Sequence, residues 1–375
     1  MKKRFSRRAI KRRRRKLFVF VTVILMTAVC VIAAARKSSS NEDYSSEYIN
    51  DDVFNEVYMD LKIEEWDPLE EDSKDIPADS KTTKPVKQEK SDSSDTKTGD
   101  KPYPEQWNED PDTEIVRTTL GGYSGKKYFT LENGGMVANC TDTANDVLLE
   151  ESTLKPAFKI SVNEKPQVLI MHTHTTETYE PYVRDCFDPS FNYRTTDSKK
   201  NVVAVGEAIA EKLRAAGIVT IHDETIHDYP SYTGAYERSA ETVKAILEEY
   251  PSIKAVLDIH RDAIGTDTSI TQPVAEINGK EAAQVMIISG CDDGTMDMPD
   301  YIFNFRFACR LQEQMETMYP GLARPLLFDY RRYNQDLTKG SLLIEVGAHG
   351  NTLEQALYSG SLIGDALAEV LLELH

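Results

Sequence analysis

Cysteine is scarce in this chain and widely scattered. Of five cysteines, Cys30 falls in an apolar run, while Cys140, Cys186, Cys291 and Cys309 show no Cys-x-x-Cys spacing. That excludes a thiolate zinc site of the finger or ribbon kind. Cys186 sits in an aromatic, acidic stretch that disfavours a thiolate, so a cysteine nucleophile has no support. No Gly-x-Ser-x-Gly elbow is present, which removes the common serine hydrolase turn. His-Glu-x-x-His is absent too, and with it the usual helical zinc-protease motif. No internal repeat is evident. Positive charge is concentrated at the start. The first sixteen residues hold eleven Lys or Arg and no acid, so the formal net charge of −18 becomes −29 for residues 17–375. Such a chain is not built to bind nucleic acid by charge.

Residues 17–35 carry no charge at all. As a helix they span roughly 28 Å, close to the hydrocarbon thickness of a bilayer. Ala33-Ala34-Ala35 resembles a leader cleavage site, but the run exceeds the apolar core of a leader peptide. The reading is a retained single-pass anchor in the cell membrane. Residues 1–16 form a cytoplasmic tail, and everything after the span lies outside the cytoplasm. Residues 36–105 read as a flexible acidic linker. Residues 37–105 contain 20 acids and 9 bases, with few apolar residues after Trp66, too little to offset ordering entropy. Residues 106–165 read as an N-terminal extension packed on the catalytic domain, with strands at 115–119 and 127–131 and a helix at 143–150.

From residue 166 to 375 apolar runs alternate with helical periodicity. Strands are expected at 168–171, 218–221, 255–259, 285–288 and 342–346. Helices are expected at 201–216, 239–249, 301–319 and 352–374. This pattern predicts an α/β fold, a mostly parallel sheet flanked by helices on both faces.

Three of these strand-like runs lead into chemistry-bearing side chains. Val168-Leu-Ile-Met runs into His172-Thr-His174 and Glu177. Ala255-Val-Leu-Asp-Ile runs into His260, Arg261 and Asp262. Ser341-Leu-Leu-Ile runs into Glu345. Ligands and catalytic groups collect at the carboxyl ends of parallel strands. Three His or carboxylate ligands with one position left open make a catalytic zinc site. In extended chain His172 and His174 point the same way, so both are expected to line one cleft. A lone strand-end His ordinarily satisfies hydrogen bonds. Two of them plus a carboxylate within six residues supply a metal shell. Glu345 interrupts an apolar strand, where a carboxylate is costly without a partner and suits a general base. His222 and His227 follow a strand and read as loop residues beside the cleft, while His349 and His375 lack context.

The stretches His172-Thr-His-Thr-Thr-Glu177, Leu257-Asp-Ile-His-Arg-Asp262, Tyr333-Asn-Gln-Asp-Leu337 and Leu343-Ile-Glu-Val-Gly-Ala-His-Gly-Asn-Thr-Leu-Glu354 resemble the stage II sporulation protein P family. That family is similar in turn to zinc-dependent N-acetylmuramoyl-L-alanine amidases. The resemblance implies cell-wall hydrolysis in endospore engulfment, with peptidoglycan as substrate. It also implies stage II sporulation proteins D and M as partners. It implies Zn²⁺ held by His174, Glu177 and His260, with His172 replacing one of them or orienting a neighbour, and Glu345 as catalytic base. The amidases take their ligand Glu further downstream, where this chain reads Ser198-Lys-Lys-Asn201; Glu177 stands in for it. Asp258 stands where the amidases have a Ser. Arg261 is expected to pair with a stem-peptide carboxylate, and Asn334 and Gln335 to hydrogen-bond sugar or peptide amides. Two other classes remain open at this point: a non-catalytic peptidoglycan-binding module and a zinc peptidase acting on another substrate.

Overall fold

The computed structural model describes residues 100–375. The expected tail at 1–16, the span at 17–35 and the linker as far as residue 99 lie outside the described residues. Among those described, no helix is long and apolar enough to cross a membrane.

The strands are β1 (Glu114–Thr118), β2 (Tyr128–Thr130), β3 (Met136–Asn139), β4 (Val168–Met171), β5 (Thr220–His222), β6 (Ala255–Asp262), β7 (Ser269–Ile277), β8 (Lys280–Ala283), β9 (Val285–Cys291), β10 (Leu326–Tyr330) and β11 (Ser341–Ala348). The helices are α1 (Asn145–Ser152), α2 (Val202–Ala215), α3 (Ala235–Glu249), α4 (Tyr301–Met318) and α5 (Leu353–Leu372). Eight strands form one sheet in the order β2-β3-β10-β9-β11-β6-β4-β5, and β1-β7-β8 form a smaller one. In the large sheet β5, β4, β6 and β11 are mutually parallel. Direction reverses between β11 and β9, and again between β2 and β3. The sheet is therefore mixed, with its parallel block where the chemistry was expected. The segment 106–165 contributes β2 and β3 to this sheet and β1 to the smaller one.

Helices cover both faces. On one, α2, α4 and α5 pack against Val168, Ile170, Leu257, Ile259, Ile287 and Ile344. On the other, Val243, Ile246 and Leu247 of α3 pack against Leu169, Met171 and Val256. β4, β6 and β11 are buried along their whole length, which is why their sequences run apolar rather than alternating. Helix ends follow local chemistry. Asn201 caps α2 by accepting from the Val203 amide, and Thr352 and Gln355 close a capping box on α5. α3 begins four residues earlier than its periodicity suggests, behind Gly234 at φ 81°. That early turn carries Tyr236 to the sheet edge described next.

Candidate functional site

β4, β6 and β11 are parallel neighbours, so their carboxyl ends share one edge. The chain turns immediately after Met171. Threonines fix that turn: Thr173 donates from its amide to Asp258 Oδ1 (2.8 Å) and from its hydroxyl to Oδ2 (2.6 Å). Thr176 donates from its hydroxyl to Asp228 Oδ2 at 2.7 Å. The loop 173–177 is thereby stapled across the end of β6.

The turn separates the two histidines that extended chain would keep together. His172 continues the strand's alternation onto the α2 face. Its Nδ1 donates to the Ile259 carbonyl (2.9 Å), and its Nε2 lies 2.9 Å from His222 Nε2. His222 Nδ1 in turn lies 2.8 Å from Glu207 Oε2. The space for this pair is made by Gly206 of α2. A Cβ there would come within 2.7 Å of His172 Nε2 and 2.8 Å of His222 Nε2. Burial and the neighbouring His222 depress the His172 pKa to about 3. The expectation that His172 and His174 line one cleft is thus corrected, because the strand stops at Met171.

His174 swings to the α3 side. Its ring lies 5.2 Å from that of His260, stacks on Tyr232 at 4.6 Å and meets Tyr236 edge-on at 5.4 Å. Nε2 is 3.1 Å from the Tyr232 hydroxyl, and Nδ1 is buried without a hydrogen-bond partner. Burial holds its pKa down at about 3. His260 has Nδ1 3.5 Å from Glu177 Oε2 and Nε2 2.8 Å from Asp258 Oδ1. The second approach is short but lacks hydrogen-bond alignment, so Nε2 too is orphaned. Burial opposes charge on His260, yet the Asp258 and Glu177 carboxylates outweigh it and raise the pKa well above the ordinary value. Burial likewise opposes charge on Glu177. The Arg261 guanidinium and His260 reverse that and hold it well below the usual carboxylate range.

Glu345 is buried at 7 % exposure and stands in register with His260 on β6 and Met286 on β9. Residues directly opposite in a sheet point to the same face, so Glu345 and His260 share a side.

Other expected residues are engaged elsewhere. Arg261 is buried, with Nε donating to the Thr178 carbonyl and Nη2 to the Tyr193 carbonyl, both at 3.2 Å. It orders the loop that carries Glu177, with Nη1 3.6 Å from Glu177 Oε1. Asn334 donates to the Tyr236 carbonyl (2.9 Å) and Ser239 Oγ (3.0 Å), tying β10's exit loop to α3. Gln335 accepts from the Gly290 amide at 2.9 Å and donates to the Ile288 carbonyl at 3.0 Å. Donors of all three side chains are engaged inside the fold. His227 supports the turn from below, bonding the His172 carbonyl and Thr242. The four described cysteines are free.

Several residues of the site gave little signal in sequence. Asp258 precedes His260 by two in a strand, so alternation alone places it on the same face. Tyr232, Arg194 and Asp228 lie on loops, where no periodicity marks them. Arg194 bridges Asp228 Oδ2 (2.6 Å) and approaches Glu177 Oε1 (3.6 Å), with its guanidinium 4.7 Å from the Tyr232 ring.

The donor set suits a divalent zinc-class metal in kind: two orphaned, buried imidazole nitrogens beside Glu177 and Asp258. Among the described residues no three of His, Cys, Asp and Glu stand gathered about a common point.

Together these elements define a mixed α/β protein whose parallel strands deliver buried imidazoles and carboxylates to one sheet edge. The family model for Stage II sporulation protein P (SpoIIP) matches residues 38–370, and the chain belongs to that family. It is 29 % identical over 245 residues to the stage II sporulation protein P of Bacillus subtilis (strain 168). That match covers 62 % of this chain and 58 % of the relative, so the chain spans somewhat over half the relative's length. Among solved structures, the N-acetylmuramoyl-L-alanine amidase AmiC2 of Nostoc punctiforme is similar at TM-score 0.33 and 12 % identity, covering 55 % of this chain and 96 % of that one. Ami1 of Mycobacterium abscessus is similar at 0.32 and 13 %, covering 56 % and 99 %. A metallo-carboxypeptidase of Burkholderia cenocepacia is similar at 0.34 and 9 %, covering 57 % and 58 %. These scores are too low for a shared fold to follow from them.

Proposed function

We propose that the chain is a zinc-dependent cell-wall hydrolase, held at the membrane by residues 17–35 with its catalytic domain outside the cytoplasm. Its substrate is peptidoglycan. The bond cut is the amide between the muramic acid lactyl group and L-Ala, with peptide cross-links as a second target. In this reading it works in endospore engulfment beside stage II sporulation proteins D and M. The observation that carries the reading is the orphaned Nδ1 of His174, with its ring 5.2 Å from His260. A buried imidazole nitrogen without a partner is costly unless something else occupies it.

His174, Glu177 and His260 would hold Zn²⁺. When bound it supplies a Lewis acid that makes water a competent nucleophile near neutral pH. The remaining roles fall to this chain's own groups. Asp258, tied to the Thr173 turn, sets its carboxylate beside the His260 ring, 2.8 Å from Nε2. The Tyr232 hydroxyl fixes the His174 ring at Nε2. The Glu345 carboxylate takes a proton from the attacking water and delivers it to the leaving amine. His172 lies outside the ligand set, because both its nitrogens are engaged on the α2 side.

The test is to measure zinc bound by the full chain and to digest sacculi with it. Mass analysis should find stem peptides released with a free L-Ala amine. Glu345→Gln should retain zinc and lose at least about a hundredfold in rate. Protein that binds no zinc and leaves sacculi intact would overturn the proposal.

A further inference from the structure

The arginine expected to meet a substrate carboxylate, Arg261, faces inward. Arg184 and Arg324 are buried as well, paired with Glu180 and Asp262. Arg194 differs. Its side chain is 22 % exposed at the rim of the His174 site. One arm is committed: Nη1 donates to Asp228 Oδ2 at 2.6 Å and approaches Thr176 Oγ1 at 3.4 Å. Nη2 makes a loose ion pair with Glu177 Oε1 at 3.6 Å, too long for a hydrogen bond, and no hydrogen bond from Nε occurs among the described residues. The Nε–Nη2 edge is the side of a guanidinium that takes a carboxylate with two parallel bonds.

The surroundings favour an anion at that edge. The Tyr232 ring touches both the guanidinium, at 4.7 Å, and the His174 ring, at 4.6 Å, and Nη2 reaches toward Glu177, so Arg194 borders the candidate site. Lys101 is stitched next to it: its amide donates to Thr196 Oγ1 (2.9 Å), and its carbonyl accepts from Thr195 Oγ1 (2.7 Å). Burial, and then the nearby charge of Arg194, lower the Lys101 pKa. Two cations thus share one rim. Asp228 pairs closely with Nη1 of Arg194, and Glu177 makes a looser ion pair with Nη2 that leaves Nε and the ammonium of Lys101 to a further anion.

We propose that the Nε–Nη2 edge of Arg194, with Lys101 beside it, is a subsite for a free carboxylate of the peptide attached to the scissile amide. It rests on the hydrolase reading for the nature of the peptide, but not for the presence of the anion site. Amidation of that carboxyl removes the charge and one acceptor, so the subsite discriminates between acid and amide forms of the wall peptide.

The experiment is a calorimetric titration of the zinc-loaded full chain, in a Glu345→Gln background so that the ligand survives. The probes are N-acetylmuramoyl-L-alanyl-D-glutamate and its diamide. The acid should bind about tenfold tighter, the value of one charged, partly exposed pair. Arg194→Met should bring the two within about twofold by weakening the acid alone. Lys101→Met, a rim change that leaves the fold alone, should reduce the acid preference about twofold. Equal weakening of acid and diamide by Arg194→Met would mean that Arg194 only props Asp228 and Glu177, and would overturn the subsite. If that variant unfolds, an acid preference untouched by Lys101→Met overturns it instead. Intact sacculi together with an Arg194-dependent acid preference would sink the hydrolase and leave the subsite standing.

Discussion

Replacing Gly206 with alanine tests which histidine faces the site. Gly206 lies inside α2 and is not among the residues with positive φ, so alanine should ordinarily stabilise by about 0.5–1 kcal/mol. Here the added Cβ would lie 2.7 Å from His172 Cε1 and Nε2 and 2.8 Å from His222 Nε2. No flexible tail can swing away, because His172 is wholly buried and pinned to the Ile259 carbonyl. Overpacking of this kind costs about 1–3 kcal/mol. Losing the two hydrogen bonds of the His172 ring adds about 1 kcal/mol each. Net destabilisation of about 2–4.5 kcal/mol follows after the helix gain is set against it. The assay is urea unfolding of the metal-free protein at pH 7, comparing midpoints at fixed slope. Zinc affinity, measured separately, should stay within about threefold of wild type, since the expected ligands lie on the opposite face of the sheet. A Gly206→Ala protein as stable as wild type, or more so, would refute the tucked position of His172.

Three further outcomes follow from the same geometry. His174→Ala and His260→Ala should each weaken zinc binding at least about a hundredfold, while His172→Ala should leave it nearly unchanged; competition with a chelating dye reads this directly. Stability of the metal-free protein should fall between pH 6.5 and about 3. His172 and His349 are each held at about 3 by burial, so the unfolded chain binds protons there that the folded one refuses. His349→Gln should flatten that acid limb in urea midpoints taken at pH 4 and 6. His260 works in the other direction. Its raised pKa contributes stability below about 6.5 that is lost as pH climbs through the folded value, and zinc must displace its proton. Zinc affinity should therefore strengthen with pH, by up to about tenfold per unit, and a flat profile from pH 6 to 9 would contradict the His260 assignment.

Much of the fold was legible because burial on both faces writes continuous apolar runs. β4, β6 and β11, with α2, α4 and α5, were readable from such runs and from 3.6-residue periodicity. β7 and β8 were not, because Gln272, Glu276, Lys280 and Glu281 break the apolar pattern in a small sheet at the rim. The reversal at β9 was also invisible, since strand direction depends on connections and not on composition. At the candidate site, the apolar runs that lead into His174, His260 and Glu345 were readable as strands. The divergence of His172 was not, because a single turn after Met171 decides which face receives which ring. Arg194 and Tyr232 were missed for a similar reason: loop residues acquire their neighbours only through tertiary contacts.

The change of strand direction at β11 has a consequence for the shape of the site. On the β6 side of Glu345 the neighbouring chain is arriving at its terminus. On the β9 side a strand is just setting out, with Met286 opposite Glu345 and Val285 opposite Val346. The β7–β8 hairpin, which turns at Asn278-Gly279, feeds straight into that starting point. Glu345 is thus flanked by a strand near its exit on one side and by a strand at its entry on the other, while the hairpin packs on α5, where the Tyr358 hydroxyl donates to the Ile277 carbonyl. A one-residue slip of β11 against either neighbour would swing Glu345 to the other face of the sheet, so two oppositely running strands fix which side that carboxylate serves.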